Sequence, residues 1–417
     1  MGENFGKSVV IVGASHAGVH LAAKLRELGW NGEITLVGDE PCLPYERPPL
    51  SKDYLLDKKN QQQIQLRNDA FFQERNINLC LGSPAKKIDR TSRQLFLGPG
   101  HIINYDKLAI CTGASPIVLR LPGSDLKGVS YIRTISDMHH IKPMVKAGRQ
   151  AVIVGGGYIG LEAAAALRQL GMEVTVFEQL DRVLARVTAP VLSEFYTRVH
   201  REEGVNIETG MSVCGFDGDH KVEAVLTSDG KRFPAELVIV GIGVRPNVAL
   251  AEEAGLETDN GICVDEYAAT ADPDIVAAGD CVSFPYAPLG RRLRLESVPS
   301  ALEQAVCAAH TIAGNRHAYS QLPWFWSDQY DVKLQIAGIN TGYNRILLRG
   351  DPAIGRSFSA WYFCDQRLLA ADCIHRAKDF MAAKLMIKSG KTPTDAQLQD
   401  EAFDLMAFAK DSASSIL

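Results

Sequence analysis

Residues 150–178 read QAVIVGGGYIGLEAAAALRQLGMEVTVFE. The opening QAVIVG is an apolar run of strand length. Gly155, Gly157 and Gly160 follow with G-x-G-x-x-G spacing, Ile159 to Leu170 reads as a helix, and EVTVFE returns as a second strand. Strand, glycine turn, helix and strand within about thirty residues form a βαβ unit that binds a dinucleotide. The first glycine permits the tight turn. The second lets a pyrophosphate approach the backbone, and the third lets helix and strand pack closely. The helix start then offers N–H groups and a positive dipole end to the phosphates. Eighteen residues past Gly160, Glu178 ends the second strand. A carboxylate there accepts from the adenosine ribose and repels a 2′-phosphate, which favours NADH over NADPH.

The pattern occurs twice. Residues 8–37, SVVIVGASHAGVHLAAKLRELGWNGEITLV, give a strand, a helix from His16 to Leu28, and a strand. The turn reads Gly13-Ala14-Ser15-His16-Ala17-Gly18, with Ser15 in the place of the middle glycine. A small residue is compatible with the turn, so the unit stands as a second dinucleotide site. His16 at the helix start reads as a packing or phosphate-side residue. Asp39 is the matching strand-end acid, with Glu40 its rival.

Short apolar runs at Lys107–Thr112 and Glu236–Val240 suit buried parallel strands and run into glycines, Gly113 in one case and Gly241 and Gly243 in the other. Residues 261–278 add two short strands. From Leu322 the pattern changes: WFWSDQYDVKLQIAG, NRILLRG, SFSAWYFC and RLLAADCI alternate as antiparallel strands do, and a helix follows over Ala377–Ser389. The expected fold is therefore α/β, with two Rossmann-like, doubly wound, three-layer nucleotide-binding domains and a C-terminal α+β domain over residues 322–417.

Length and composition agree. The chain has 417 residues, enough for two or three domains, with 46% hydrophobic and 22% charged residues. Its formal charge of −5 argues against a nucleic-acid partner. No apolar run reaches the roughly 18 residues that span a bilayer. The N-terminal apolar stretch is too short for a secretory leader, so a cytoplasmic protein is expected. The nine cysteines form no C-x-x-C, so neither a disulfide framework nor a metal site is expected.

Two dinucleotide sites in one chain suggest one bound flavin and one visiting nicotinamide. The succession GASHAG, PPLSK, CTGA, GGGYIGLE, GIGVRPN, AAGDC and ESVPSALEQA resembles the FAD-dependent pyridine-nucleotide reductases. PYERPPLSKDYL together with PWFWSDQYDVKLQIAG is similar to the ferredoxin reductases that serve oxygenases and cytochromes P450. The likeness runs from about residue 8 to residue 390. It implies a glutathione-reductase-like arrangement, with an FAD domain in two segments, 1–113 and 245–321, and an NADH domain, 114–244, inserted between them. It also implies the activity: hydride passes from NADH to FAD, and single electrons then pass to a [2Fe–2S] ferredoxin that feeds a P450 or another monooxygenase. Rubredoxin as acceptor, an NADH oxidase, or a redox protein like apoptosis-inducing factor are the rival readings.

Site residues follow from the same resemblance. Around FAD it implies Gly13, Ser15, His16, Ala17 and Gly18 at the pyrophosphate, Asp39 at the ribose, Arg133 at the phosphates, and Gly279-Asp280 at the ribitol. Val298 belongs there too, at a helix start (Ser297 as cap, Pro299 in the first turn) whose dipole stabilises negative charge on the reduced ring. Around NADH it implies Gly155, Gly157, Tyr158, Ile159, Gly160, Glu162, Glu178, Gly241 and Gly243. Disulfide reductases of this kind carry a redox cysteine pair beside the flavin. Here the segment is PPLSK, and Lys52 is expected to pair with Glu162 where nicotinamide meets flavin, fixing geometry for hydride transfer. Trp324 and Trp326 are expected on the acceptor side, on opposite faces of their strand. Arg291, Arg292, Arg294, Lys333, Arg376, Lys378, Lys384 and Lys388 could steer an acidic ferredoxin. Val306 stands where relatives can carry a basic residue. A monomer is expected.

Overall fold

The computed structural model describes residues 6–98 and 100–411. The chain divides into two compact units. The first runs to Glu46 and takes Asn60–Ser115 and Val244–Gln321. The second takes Arg47–Lys59, Pro116–Gly243 and the chain from Leu322 on. Arg47–Lys59 thus leaves one unit for the other, a detour that no local pattern announces.

The first unit is built on five parallel strands in the order Ile275–Ala277, Lys107–Ile110, Val9–Val12, Ile34–Val37, Ile77–Cys80. Val9 to Val12 are all buried because both faces of the sheet are covered. Val9 and Ile11 face one core with residues of helices His16–Glu27 and Val298–Ile312. Val10 and Val12 face the other, under the three-stranded antiparallel sheet Lys87–Asp89, Gln94–Gly98, His101–Asn104. The alternation follows from the two-residue repeat of a strand.

The second unit repeats the plan. Its parallel sheet runs Asn206–Thr209, Glu173–Glu178, Gln150–Val154, Leu237–Val240, Val129–Ser130. Helix Tyr158–Gln169 follows the central strand, and a three-stranded antiparallel sheet, Val213–Asp217, Ala224–Thr227, Arg232–Pro234, lines one of its cores. In the same unit, five antiparallel strands run in the order Trp324–Gln329, Val332–Gly338, Arg367–Ile374, Phe358–Cys364, Arg345–Arg349. Helices Ala377–Ser389, Asp395–Gln399 and Leu405–Asp411 share a core with them. The α/β class with an α+β C-terminal portion is thus the one expected.

Candidate active site

Both glycine turns have the geometry that their sequences imply. Gly13 and Gly155 have φ of +117° and +107°, and a Cβ on either would lie 2.0 Å and 2.5 Å from the carbonyl oxygens of Cys111 and Gly241. Gly18 and Gly160 are closed to any side chain too: a Cβ would sit 2.0 Å from Gly13 O and 2.1 Å from Gly155 O. The middle position differs. At Gly157 the nearest such contact is Gly241 O at 4.0 Å, and Ser15 occupies the equivalent place with φ −137°. The chain itself therefore does not need a glycine there, and Ser15 leaves the turn intact. Neither helix that follows, His16–Glu27 or Tyr158–Gln169, receives a side-chain cap, which leaves first-turn N–H groups for an anion. These two cradles fit the pyrophosphates of FAD and of a nicotinamide dinucleotide.

In the first unit, Asp39 is exposed and Glu40 accepts from the Tyr45 hydroxyl at 2.6 Å. Gly279 donates from its amide to Gln304 Oε1 at 2.8 Å, which holds the turn that presents Asp280. Ser297 caps the helix that begins at Val298, its Oγ accepting from Ser300 N at 3.3 Å, with Pro299 in the first turn.

In the second unit, Glu178 is 8% exposed and accepts from the amides of Gly156 at 2.7 Å and Leu180 at 2.9 Å. One donor on each oxygen leaves lone pairs for ribose hydroxyls. Ile159 stands 44% exposed in the first helical turn, an apolar surface beside the phosphate cradle. Tyr158 packs its ring on Phe325 at 4.9 Å, and burial, with the Asp372 carboxylate next, pushes its phenol well above the ordinary tyrosine range. Gly243 has φ +116°, and its carbonyl accepts from Ile117 N at 2.9 Å. Arg133 also lies in this unit. Its carbonyl accepts from Arg47 Nη1 at 2.8 Å, and its amide donates to Asp137 Oδ2 at 3.0 Å.

Lys52 and Glu162 meet. Lys52 follows the 3₁₀ turn Pro48–Ser51, and its Nζ lies 2.6 Å from Glu162 Oε2. Glu162 is only 5% exposed. Ser51 Oγ donates to the same oxygen at 2.8 Å, and Ser327 Oγ donates to Oε1 at 2.6 Å. Sequence patterns alone assign neither serine to the site. Ser51 stands next to Lys52, so the motif contained it; Ser327 reaches Glu162 across 165 residues.

The tryptophans require a correction. Residues two apart on a strand share a face, and the Trp324 and Trp326 rings lie 5.7 Å apart instead of on opposite sides. Phe325, Ser327 and Gln329 form the other face. Trp324 packs on Phe380 at 5.8 Å and takes Lys384 Nζ over its ring at 5.1 Å. Some of the cations expected to steer a partner have internal partners. Arg292 donates to the Val264 and Ser283 carbonyls, Arg294 pairs with Glu296 at 2.7 Å, and Arg376 with Glu401 at 2.7 Å. Lys378 and Lys388 are exposed.

The family model described as pyridine nucleotide-disulphide oxidoreductase matches residues 7–305, and the one described as reductase C-terminal matches residues 324–409. The chain belongs to the pyridine nucleotide-disulphide oxidoreductase family. It is 42% identical to the putidaredoxin reductase of Pseudomonas putida, over 99% of this chain and 100% of that one. It is also 42% identical to a ferredoxin–NAD(P)(+) reductase of Sphingomonas sp., over 96% and 97% of the two chains. Among solved structures, the covalent putidaredoxin reductase–putidaredoxin complex matches with a TM-score of 0.95 at 41% identity, over 99% of this chain and 100% of the other. Family members are flavin oxidoreductases that use FAD and NAD(P)H, and this chain is an enzyme of that kind. No helix among the described residues is long and apolar enough to cross a membrane.

Proposed function

We propose that the protein is an NADH-dependent ferredoxin reductase that supplies single electrons to a [2Fe–2S] ferredoxin, and through it to a P450 or other monooxygenase. The observation that carries the reading most is the pairing of Lys52 with the buried Glu162 beside Ser51. It occupies the segment in which a disulfide reductase of this family would need two cysteines, and PPLSK has none. Without a dithiol, electrons have to leave for an external acceptor. Cys42, half-buried and ten residues before Lys52, is poorly placed for the flavin-adjacent cysteine that an oxidase would need.

FAD supplies the conversion of one hydride into two single electrons when it is bound. The chain's own groups do the holding. The first-unit cradle (Gly13, Ser15, His16, Ala17, Gly18), with Asp39, Asp280 and Val298, would bind FAD. The second (Gly155, Gly157, Tyr158, Ile159, Gly160), with Glu178, Gly241 and Gly243, would bind the nicotinamide nucleotide. Glu178 favours the free 2′-hydroxyl of NADH over a phosphate. Lys52 and Glu162 fix the nicotinamide for hydride transfer. Trp324 and Trp326, with Lys384 over the Trp324 ring and Lys378 and Lys388 exposed on the same helix, offer the acceptor side to an acidic ferredoxin. In this reading 1–113 with 245–321 is the FAD domain, 114–244 the NADH domain and 322–417 the third, in a monomeric cytoplasmic protein. NADH-driven reduction of cytochrome c, with and without a [2Fe–2S] ferredoxin, tests it. A large ferredoxin-dependent rise is expected. No rise with several ferredoxins, alongside steady oxygen consumption, would reject it.

A further inference from the structure

Glu162 is the end of a longer buried line of polar groups in the second unit. Ser327 Oγ lies 2.6 Å from Glu162 Oε1, Gln329 Nε2 lies 3.3 Å from Ser327 Oγ, His200 Nε2 lies 2.8 Å from Gln329 Oε1, and Tyr330 Oη lies 3.3 Å from His200 Nδ1. Ser327 and His200 are both 0% exposed, and Gln329 is 1% exposed.

The direction of this line is fixed by counting hydrogens. As the partner of the Lys52 ammonium, Glu162 is a carboxylate and only accepts. Ser327 has one hydroxyl hydrogen and gives it to Glu162, so its other neighbour must donate to it. That neighbour is therefore the Gln329 NH₂ group, which turns the amide oxygen toward His200. An oxygen there needs a ring N–H, so His200 carries its proton on Nε2. Burial keeps the imidazole neutral, which leaves Nδ1 as an acceptor for Tyr330. Every donor points toward Glu162, and each bond polarises the next.

We infer that Ser327, Gln329 and His200 form a one-way donor chain that orients the Glu162 carboxylate, with His200 and Gln329 acting as positioning residues for hydride transfer from NADH. The inference rests on the reading of Lys52–Glu162 as the nicotinamide-side pair. Lys52 and Ser51 hold Oε2 from one side, and the chain holds Oε1 from the other. A carboxylate gripped at both oxygens cannot rotate about its last bond, and so it keeps Lys52 in one place.

The test uses the FAD-loaded protein and two measurements. Nitrogen-15 NMR of histidine-labelled protein reports the His200 tautomer: neutral Nε2–H is expected, and neutral Nδ1–H would overturn the direction of the chain. Anaerobic stopped-flow then follows flavin bleaching by NADH in Ser327→Ala, His200→Phe and the double variant. Losing one hydrogen bond to a charged group should slow the step about tenfold in Ser327→Ala. His200→Phe should slow it less, and should add nothing in the Ser327→Ala background, because its effect passes through Ser327. The NADH dissociation constant should stay within about twofold, since only the transfer geometry changes. Equal slowing by His200→Phe in both backgrounds, or an unchanged rate in Ser327→Ala, would overturn the inference. Glu162→Gln and Lys52→Met separate the two claims. If they slow bleaching while the chain variants do not, the chain alone is wrong; if they too are silent, the placement of the pair fails, and the chain's role fails with it.

Discussion

Burial lowers the His200 imidazole to about 4, below its ordinary value, while burial raises the Asp372 carboxyl to about 6. Both belong to the second unit. Asp372 accepts from Thr188 Oγ1 at 2.6 Å and from the Tyr362 hydroxyl at 2.5 Å, which offset part of that rise. Between about pH 4 and 6.5 an unfolded chain protonates His200 and the native one does not, so this residue makes stability rise with pH and fall on acidification. Asp372 does the reverse. Between its ordinary value and about 6 the native chain keeps a proton that the unfolded chain releases, so stability falls as pH rises. Each span of about two pH units corresponds to about 3 kcal/mol. The two slopes oppose each other across nearly the same window, and the native profile hides both. Relative to the native protein, thermal midpoints of His200→Phe should therefore fall as pH rises from about 4 to 6, while those of Asp372→Asn should rise. Parallel profiles for the two variants would contradict this assignment. At this scale the sequence was partly legible. Lys52 and Glu162 lie in motifs with recognisable partners, but His200 and Gln329 are 129 residues apart and no local pattern joins them.

A glycine-rich turn mixes two requirements that its backbone geometry separates. Gly160 is required by the fold, because its Cβ would be driven into Gly155 O at 2.1 Å; Gly157 is required only by whatever approaches the backbone, since a Cβ there would meet nothing closer than Gly241 O at 4.0 Å, an ordinary contact. Gly160→Ala should lower stability by at least about 1–3 kcal/mol through overpacking. Gly157→Ala should leave the melting temperature within about 1 °C and weaken NADH binding. Calorimetry and nucleotide titration on both variants check this, and equal destabilisation would remove the distinction. Helix and strand periodicity placed both βαβ units to within a residue or so at their helices. Periodicity did not reveal the two three-stranded antiparallel sheets. Their strands are three to five residues long and follow no common burial pattern: Gln94–Gly98 alternates between half-buried and buried, whereas His101–Asn104 and Arg232–Pro234 have no buried residue at all. The strand carrying Trp324 and Trp326 was found, but its two-residue repeat puts both rings on one face and gives the other to Phe325, Ser327 and Gln329.

The two units share one plan, and the proposed function gives each its own nucleotide, so damage to one nucleotide site should spare the other. Glu178→Arg should raise the NADPH-to-NADH ratio of kcat/KM about tenfold or more while flavin content stays unchanged. Asp280→Ala should lose FAD during purification, read from the flavin absorbance per chain. Full FAD retention in Asp280→Ala, or an unchanged nucleotide preference in Glu178→Arg, would count against the respective assignment. The duplicated plan was legible because each copy repeats a strand, a glycine turn and a helix. The path of the chain between units was not, since nothing in the sequence of Arg47–Lys59 says that it leaves one unit for the other. That detour has a consequence for recombination. A crossover that exchanged only Pro116–Gly243 with a distant relative would import a new residue 162 while Lys52, Ser51 and Ser327 stayed with the host. The smallest block that can be inherited whole is therefore three stretches of gene, and chimaeras cut at the two obvious glycine turns should be viable only between parents that already agree at those three positions.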